Sequence, residues 1–220
     1  MTAPHLTRTF KPRRRALSPE RQTWLAAGLE RWGLAEEGPL LDLAAEFARV
    51  APVVLDVGFG DGMATTELAD RFPDHDVIAV DVHTPGVAYV LSAIEDGGLS
   101  NVRIVPGDAL VLLDRLPERS LAEVRVWFPD PWPKVRHHRR RLVQSGTVGQ
   151  IVDRMAIGAT LHLATDSESY AQQMVAVCGA EPRVIGGVVP RPSWRPVTRY
   201  ERRALLTGRA ATDLVYRRVR

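Results

Sequence analysis

Five short apolar runs in this chain each end in or near an aspartate: "LDVGFGDG" (55–62), "VDVHTPG" (80–86), "PGDA" (106–109), "FPDPW" (128–132) and "ATDS" (164–167). The acids are Asp56, Asp81, Asp108, Asp130 and Asp166. One aspartate after a strand is unremarkable, because its side chain caps the helix that follows. Five in succession make an acidic rim suited to a ligand with cationic or hydroxyl groups. The fourth lies within "WFPDPWPKVRHHRRR" (127–141), where three prolines exclude a helix and a basic tail follows the carboxylate.

The first of these segments carries Gly58, Gly60 and Gly62 in a G-x-G-x-G spacing. A dinucleotide fingerprint is G-x-G-x-x-G, and its last position here is Met63. Asp56 before the loop and Asp61 within it would repel a pyrophosphate. A cofactor without phosphate and with positive charge fits better, and S-adenosylmethionine is one, leaving S-adenosylhomocysteine as product. Asp81 stands where a carboxylate takes two ribose hydroxyls. Asp108 and Ala109 are placed to meet the adenine. A nicotinamide-dependent oxidoreductase is disfavoured by the same spacing and the same acids.

Elements able to hold such a rim follow from the pattern around it. "SPERQTWLAAGLERWGL" (18–34) reads as a capped helix with Trp24, Leu25, Leu29 and Trp32 on nearly one face, and "GPLLDLAAEFARV" (38–50) as a short second helix. From residue 53 strands alternate with helices. The strands are "VVLDVG", "HDVIAVDV", "NVRIVPGD", "AEVRVWF", "GATLHLATD" and, near the end, "TDLVYRRV". Alternation at this spacing predicts an α/β fold, a mostly parallel sheet with helices on both faces, whose ligands sit beyond the C-terminal strand ends.

Composition bounds the alternatives. The chain has 220 residues, enough for one domain with a short arm, and its lone cysteine, Cys178, excludes an internal disulfide and a cysteine metal cage. No run approaches a membrane span, no signal peptide is recognisable, and a cytoplasmic location with no membrane partner is expected. A net charge of +3 conceals an asymmetry: residues 1–15, 125–141 and 191–220 together carry +17, leaving −14 on the remainder. Three basic segments on an acidic body suit a polyanion-binding protein. They argue against a methyltransferase for small molecules or proteins. The alternative of separate solvated faces stays open at this level.

On the stretches "RTFKPRRR" (8–15), "LDVGFGDG", "VDVHTPGV", "FPDPWPKVRHHRRR", "LHLATDSESYAQQM" (161–174) and "RPVTRYERRALLTG" (195–208), in that order, the chain resembles the bacterial tRNA (guanine-N7)-methyltransferase family. The resemblance implies a class I methyltransferase Rossmann-like fold with seven strands. It implies methyl transfer to N7 of a guanine, position 46 of the tRNA variable loop, with tRNA as partner, no metal and no obligate protein partner. A monomer or weak homodimer is expected. It further implies Asp130 as the catalytic residue and Asp56, Gly58, Gly60, Asp81, Asp108 and Ala109 as cofactor contacts. Lys134, Asp166, Thr198, Arg199, Tyr200 and Glu201 become substrate contacts. Arg136, His137, His138, Arg139, Arg140 and Arg141 become the RNA-contacting segment. The family motif Thr-Lys-Phe-Glu stands here as Thr198-Arg199-Tyr200-Glu201, and "LLTGRAATD" (205–213) departs from the family's Gly-rich linker.

The chemistry agrees with that assignment. Guanine N7 carries a lone pair and no proton, so no strong base is needed; in-line placement is. Asp130 suits the N1–H and N2–H₂ edge and the charge that grows on the ring. Trp127 or Trp132 would offer a stacking face, unless both are core. Glu201 either pairs with the guanine edge or with Arg202 or Arg203. Lys134 is one of only two lysines against 27 arginines, a compact charge suited to a single oxygen. The expected organisation is a basic arm over 1–20, without fixed structure until RNA binds, and one catalytic domain over 21–220.

Overall fold

The computed structural model describes Thr9 and residues 18–220, so most of the expected basic arm lies outside the described residues. Seven strands form one sheet in the order β3-β2-β1-β4-β5-β7-β6. They are β1 (Val53–Val57), β2 (Asp76–Val80), β3 (Val102–Val105), β4 (Leu121–Trp127), β5 (Met155–Thr165), β6 (Val184–Val189) and β7 (Thr212–Arg218). The first five run parallel, and β7 is antiparallel to both β5 and β6. Strand order reverses between β1 and β4, and a crevice opens there beyond the strand ends.

Burial explains why the strands read as unbroken apolar runs. Every residue of β1 and β2 is buried, as expected of parallel strands covered on both faces. Leu55, Val57, Ile78 and Val80 face one core with Val148, Ile151, Tyr170 and Met174. These last four come from α6 (Ser145–Arg154) and α7 (Glu168–Gly179). Val54, Val77 and Ala79 face the other, packed on Val90, Leu91 and Ile94 of α4 (Thr84–Gly97). Each buried Val, Leu, Ile or Met side chain among them contributes about 1.5–3 kcal/mol. Cys178 on α7 is wholly buried in the first core, and burial pushes its thiol up to about 12.

The predicted first helix is α1 (Pro19–Trp32), capped by Ser18, whose side chain accepts from the Arg21 amide. Leu25, Leu29 and Trp32 pack against the second core, while Trp24 is exposed. The short helix after it is α2 (Leu43–Phe47), and α3 (Met63–Arg71) follows the glycine loop. The apolar run "ALVLLDRL" makes only one α-helical turn, α5 (Ala109–Leu112), before tightening to a 3-10 turn over Leu113–Arg115.

Two elements lie outside the sequence reading. β6 carries Gly186 and Gly187 in its centre, which hides the strand pattern. α8 (Arg199–Leu206) is mostly polar and buries only Glu201 and Ala204. No helix among the described residues is long and apolar enough to cross a membrane.

Candidate active site

The register of the sheet brings the loops after β1, β2 and β3 side by side. The Gly58 amide donates to the Val80 carbonyl at 2.8 Å, and the Asp81 amide to the Val105 carbonyl at 3.1 Å. Gly58, Gly60 and Gly62 all take positive φ, 73°, 66° and 81°, a region open to glycine at no steric cost. The turn they make is held by Asp81: Oδ2 accepts from the Gly60 amide at 2.7 Å and Oδ1 from the His83 amide at 2.8 Å. His83 Nδ1 lies 2.9 Å from the Gly60 carbonyl and 3.3 Å from the Gly86 amide. One nitrogen cannot donate and accept at once, and the shorter contact makes it the donor to Gly60. A Cβ on Gly86 would run into that same carbonyl, so only glycine lets α4 approach the loop so closely.

These loops enclose a cavity of about 150 Å³. Gly58, Gly60, Asp81, His83, Asp108 and Ala109 line it, with Val57, Val80, Val82 and Leu142 as apolar walls. Burial pushes the Asp81 carboxyl up, against the downward pull of the Gly60 and His83 amides. A buried acid in this state gains from a ligand offering hydroxyl donors or positive charge. The donor set therefore suits S-adenosylmethionine: a carboxylate for the ribose, apolar walls for the adenine and, among the described residues that line the cavity, no lysine or arginine for a phosphate. Asp108 Oδ1 caps α5 through the Leu110 amide at 3.0 Å, and the Asp108 amide in turn donates to the Glu36 carboxylate.

Asp56 is not on the cavity wall. Strand alternation turns it to the face of Val54, where it is buried and Oδ2 accepts from the Thr65 hydroxyl at 2.7 Å. Burial pushes its carboxyl up, opposed by the charge of Arg125. Its reach to the glycine loop is indirect, through α3.

After β4 the chain makes the proline-rich turn. The Phe128 amide donates to the Ala164 carbonyl at 2.7 Å. Phe128 and Trp132 both take positive φ, 54° and 42°, and bracket Pro129, Asp130 and Pro131. Bulky residues in that region are costly, about 1–3 kcal/mol each, and persist only where surrounding contacts enforce them. The expectation that a tryptophan offers a free stacking face is corrected here. Trp127 is 7% exposed and packs among His162, Trp194 and Arg125, and Trp132 is 6% exposed. Arg140 lies over the Trp132 ring at 5.0 Å, His137 meets its edge at 5.8 Å, and its indole N–H donates to the Thr9 carbonyl at 2.9 Å. The aromatic surfaces facing open space are instead Phe128 and Tyr200.

Beyond the turn lies a wider cavity of about 800 Å³. It is lined by Asp130, Pro131, Pro133, Asp166, Ser167, Arg203 and Arg209 among others. Phe128, Pro129, Asp130 and Tyr200 line both cavities. Asp130 and Asp166 thus share the wide cavity as two acceptors, and Asp166 Oδ2 pairs with Arg209 at 3.2 Å.

Tyr200 stands on α8. Thr198 caps that helix, its Oγ1 accepting from the Glu201 amide at 3.2 Å, and Tyr200 lays its ring over Gly60, where an added Cβ would be 3.1 Å from the ring. Glu201 pairs with neither Arg202 nor Arg203, and it lines neither cavity. It is 3% exposed and accepts from Arg195 at 2.8 and 2.9 Å and from Arg191 at 2.7 Å. Arg195 also binds Asp213, which accepts from His162 at 2.8 Å. Burial would raise the Asp213 carboxyl, but the His162 hydrogen bond and the Arg195 charge outweigh it and hold it low. Glu201 therefore anchors α8, and Arg199 is exposed and lines neither cavity.

The basic segment makes a 3-10 turn over Val135–Arg140. Lys134, Arg136 and Arg139 are exposed, and His137, His138 and Arg140 half-buried, at the border of the wide cavity without lining it. Local desolvation and the cations Arg136, Arg140, Lys134 and Arg139 hold His137 below its usual range, the mark of a positive surface. Arg141 does not belong to that surface. It is 1% exposed, and its guanidinium binds the Pro131 carbonyl, the Ser169 carbonyl and hydroxyl, and Gln173 Oε1. No cluster of three or more metal-ligating side chains occurs among the described residues.

Sequence reasoning missed His83, Glu36, Leu142 and Phe128. His83 had a signal, standing two residues after a strand-end acid and just before a helix. Glu36 had none, since it arrives from a distant loop.

A family model described as a putative methyltransferase matches residues 50–214. The tRNA (guanine-N(7)-)-methyltransferase of Streptomyces avermitilis is 44% identical over 218 residues, covering 96% of this chain and 75% of the relative. That of Aromatoleum aromaticum is 46% identical over 215 residues, covering 96% and 83%. Among solved structures, a 30S ribosomal A1408 methyltransferase from an uncultured bacterium has a TM-score of 0.59 at 11% identity, covering 81% of this chain and 93% of that one. An rRNA methylase from Streptococcus thermophilus has a TM-score of 0.53 at 16% identity, covering 77% and 88%. At such identities the likeness is one of fold.

Proposed function

The chain belongs to the tRNA (guanine-N7)-methyltransferase family, and on that footing we propose that its target is guanine 46 in the variable loop of tRNA. The reaction is transfer of the S-adenosylmethionine methyl group to guanine N7. The observation that carries the assignment of residues is the pair of cavities meeting along Phe128, Pro129, Asp130 and Tyr200.

S-adenosylmethionine supplies a methyl group on a cationic sulfur. Asp81 holds the ribose hydroxyls while keeping the turn of Gly58 and Gly60 in place through its two amide contacts. Asp108 and Ala109 would border the adenine, with Val80, Val82 and Leu142 as its apolar walls. In the wide cavity Asp130 accepts from the N1–H and N2–H₂ edge of the guanine and, with Asp166, stabilises the positive charge the ring acquires as N7 is alkylated. Phe128 and Tyr200 give the base an apolar seat and exclude water from the line of transfer. Extruding the base costs a few kcal/mol, and stacking on an aromatic face returns about 1–3 kcal/mol. No side chain has to remove a proton, because N7 has none. The exposed cations Lys134, Arg136 and Arg139, with the half-buried Arg140, track the RNA backbone and position it without reading sequence.

The test is methyl transfer from labelled S-adenosylmethionine to unmodified tRNA transcripts, digested to nucleosides. Label in 7-methylguanosine, lost in a transcript with adenosine at position 46 and reduced at least a hundredfold in Asp130→Ala, is the expected result. Label on another atom or another nucleotide overturns the assignment.

A further inference from the structure

The segment "LLTGRAATD" returns from α8 to β7 past the mouth of the wide cavity, and it places an arginine there by construction. Gly208 leaves the helix with φ 71°, and the Arg209 amide donates back to the Ala204 carbonyl at 3.0 Å. The side chain is then held at two points. Nε donates to Thr207 Oγ1 at 3.1 Å, and Nη1 pairs with Asp166 Oδ2 at 3.2 Å. Arg203, six residues earlier on α8, lines the same cavity.

We propose that Arg209, seconded by Arg203, binds the phosphate of the target nucleotide, and that its pair with Asp166 is the RNA-free form of that contact. The inference rests on the reading of the wide cavity as the guanine site. Magnitudes favour the exchange. The Arg209 side chain is 55% exposed and that of Asp166 21%, and an ion pair this open to water is weak. A phosphate offers the same fork two oxygens in a charge-assisted, bidentate contact about twice as strong as a neutral one. A guanidinium has five N–H donors, more than the Thr207 and Asp166 contacts use. Handing Arg209 to the phosphate also frees the Asp166 carboxylate for the base. In the absence of RNA the same pair holds the guanidinium in the position where the phosphate arrives, so little rotamer freedom is lost on binding.

The experiment compares wild type with Arg209→Ala and Arg209→Lys, measuring tRNA affinity against salt, KM for tRNA, kcat and S-adenosylmethionine affinity. For Arg209→Ala the slope of log affinity on log salt is expected to shrink by about one unit. KM is expected to rise about tenfold. Cofactor affinity stays at the wild-type value, because Arg209 does not line that cavity, and Arg209→Lys recovers part of the slope. An unchanged slope and KM overturn the proposal. A kcat that rises with KM and slope unchanged also overturns it, since Arg209 would then only obstruct Asp166. If wild-type protein fails to methylate tRNA, the reading of the cavity itself falls, which the variants cannot mimic.

Discussion

Arg141 donates from Nε to the carbonyl of Pro131, ten residues earlier in the chain, at 2.9 Å, while its other donors hold Ser169 and Gln173 on α7. A buried guanidinium thus ties the proline-rich turn to a helix behind the sheet. Removing it leaves several acceptors unsatisfied at once. Arg141→Ala is expected to lower unfolding free energy by about 2–4 kcal/mol and to depress kcat more than tRNA affinity. Arg141→Lys is expected to restore only part, because a point charge cannot span four acceptors on three residues. Denaturant unfolding and steady-state kinetics read both.

Two residues of the late motif are expected to differ in the size of their effects. Glu201→Ala uncovers Arg195, 1% exposed, and should cost about 3–5 kcal/mol. Thr198→Ala removes only a helix cap and should cost about 1 kcal/mol. Equal losses by thermal or denaturant unfolding would contradict the anchoring role assigned to Glu201.

The buried acid beneath the glycine loop sets a pH dependence. Folding raises the Asp56 carboxyl above its ordinary 3.8, mainly through burial, so the folded state favours its protonated form. Its contribution to stability is present below the unfolded value and is lost as pH rises through the folded one. Asp56→Asn keeps an oxygen for the Thr65 hydroxyl and removes the cost of ionisation, and Arg125 keeps its bidentate pair with Glu123. The variant is therefore expected to gain stability relative to wild type at pH 7 and to lose that advantage as pH falls toward 4. Urea unfolding at the two pH values measures the difference; a gap independent of pH refutes the account.

Gly60→Ala is expected to act twice. A side chain at φ 66° costs about 1–2 kcal/mol, and its Cβ meets the Tyr200 ring at 3.1 Å. Cofactor affinity should fall, measured by calorimetry. Adding Tyr200→Ala in the same chain should relieve the crowding but leave the backbone cost, so stability is expected to stay below that of Tyr200→Ala alone.

Much of this site was legible because strand ends are marked by a change in residue type. Asp81, Asp108, Asp130 and Asp166 stand where apolar runs stop, and the parallel register carries all four to one rim. What escaped was the direction of side chains. Three consecutive arginines look alike in sequence, yet the 3-10 turn leaves Arg139 exposed and drives Arg141 inward. Asp56 sits one residue before the end of β1, and that single step of strand alternation turns it away from the cavity. For Glu201 the sequence offers the guanine edge or the adjacent Arg202 and Arg203 as partners, whereas the fold brings Arg191 and Arg195 to it across a turn. β6 was hidden by its glycines, and α8 by the near absence of an apolar face.

The solitary thiol in the first core has a use beyond packing. Cys178 is wholly enclosed, and with its ionisation displaced to about 12 it offers almost no thiolate at neutral pH. A thiol-selective reagent will therefore find nothing to modify until α7 lifts from the sheet. Since Ser169 and Gln173 on that helix hold Arg141, the rate of alkylation times the opening of the segment that supports the proline-rich turn. The molecule carries its own chemical clock for the loosening of its active site, with no label to introduce.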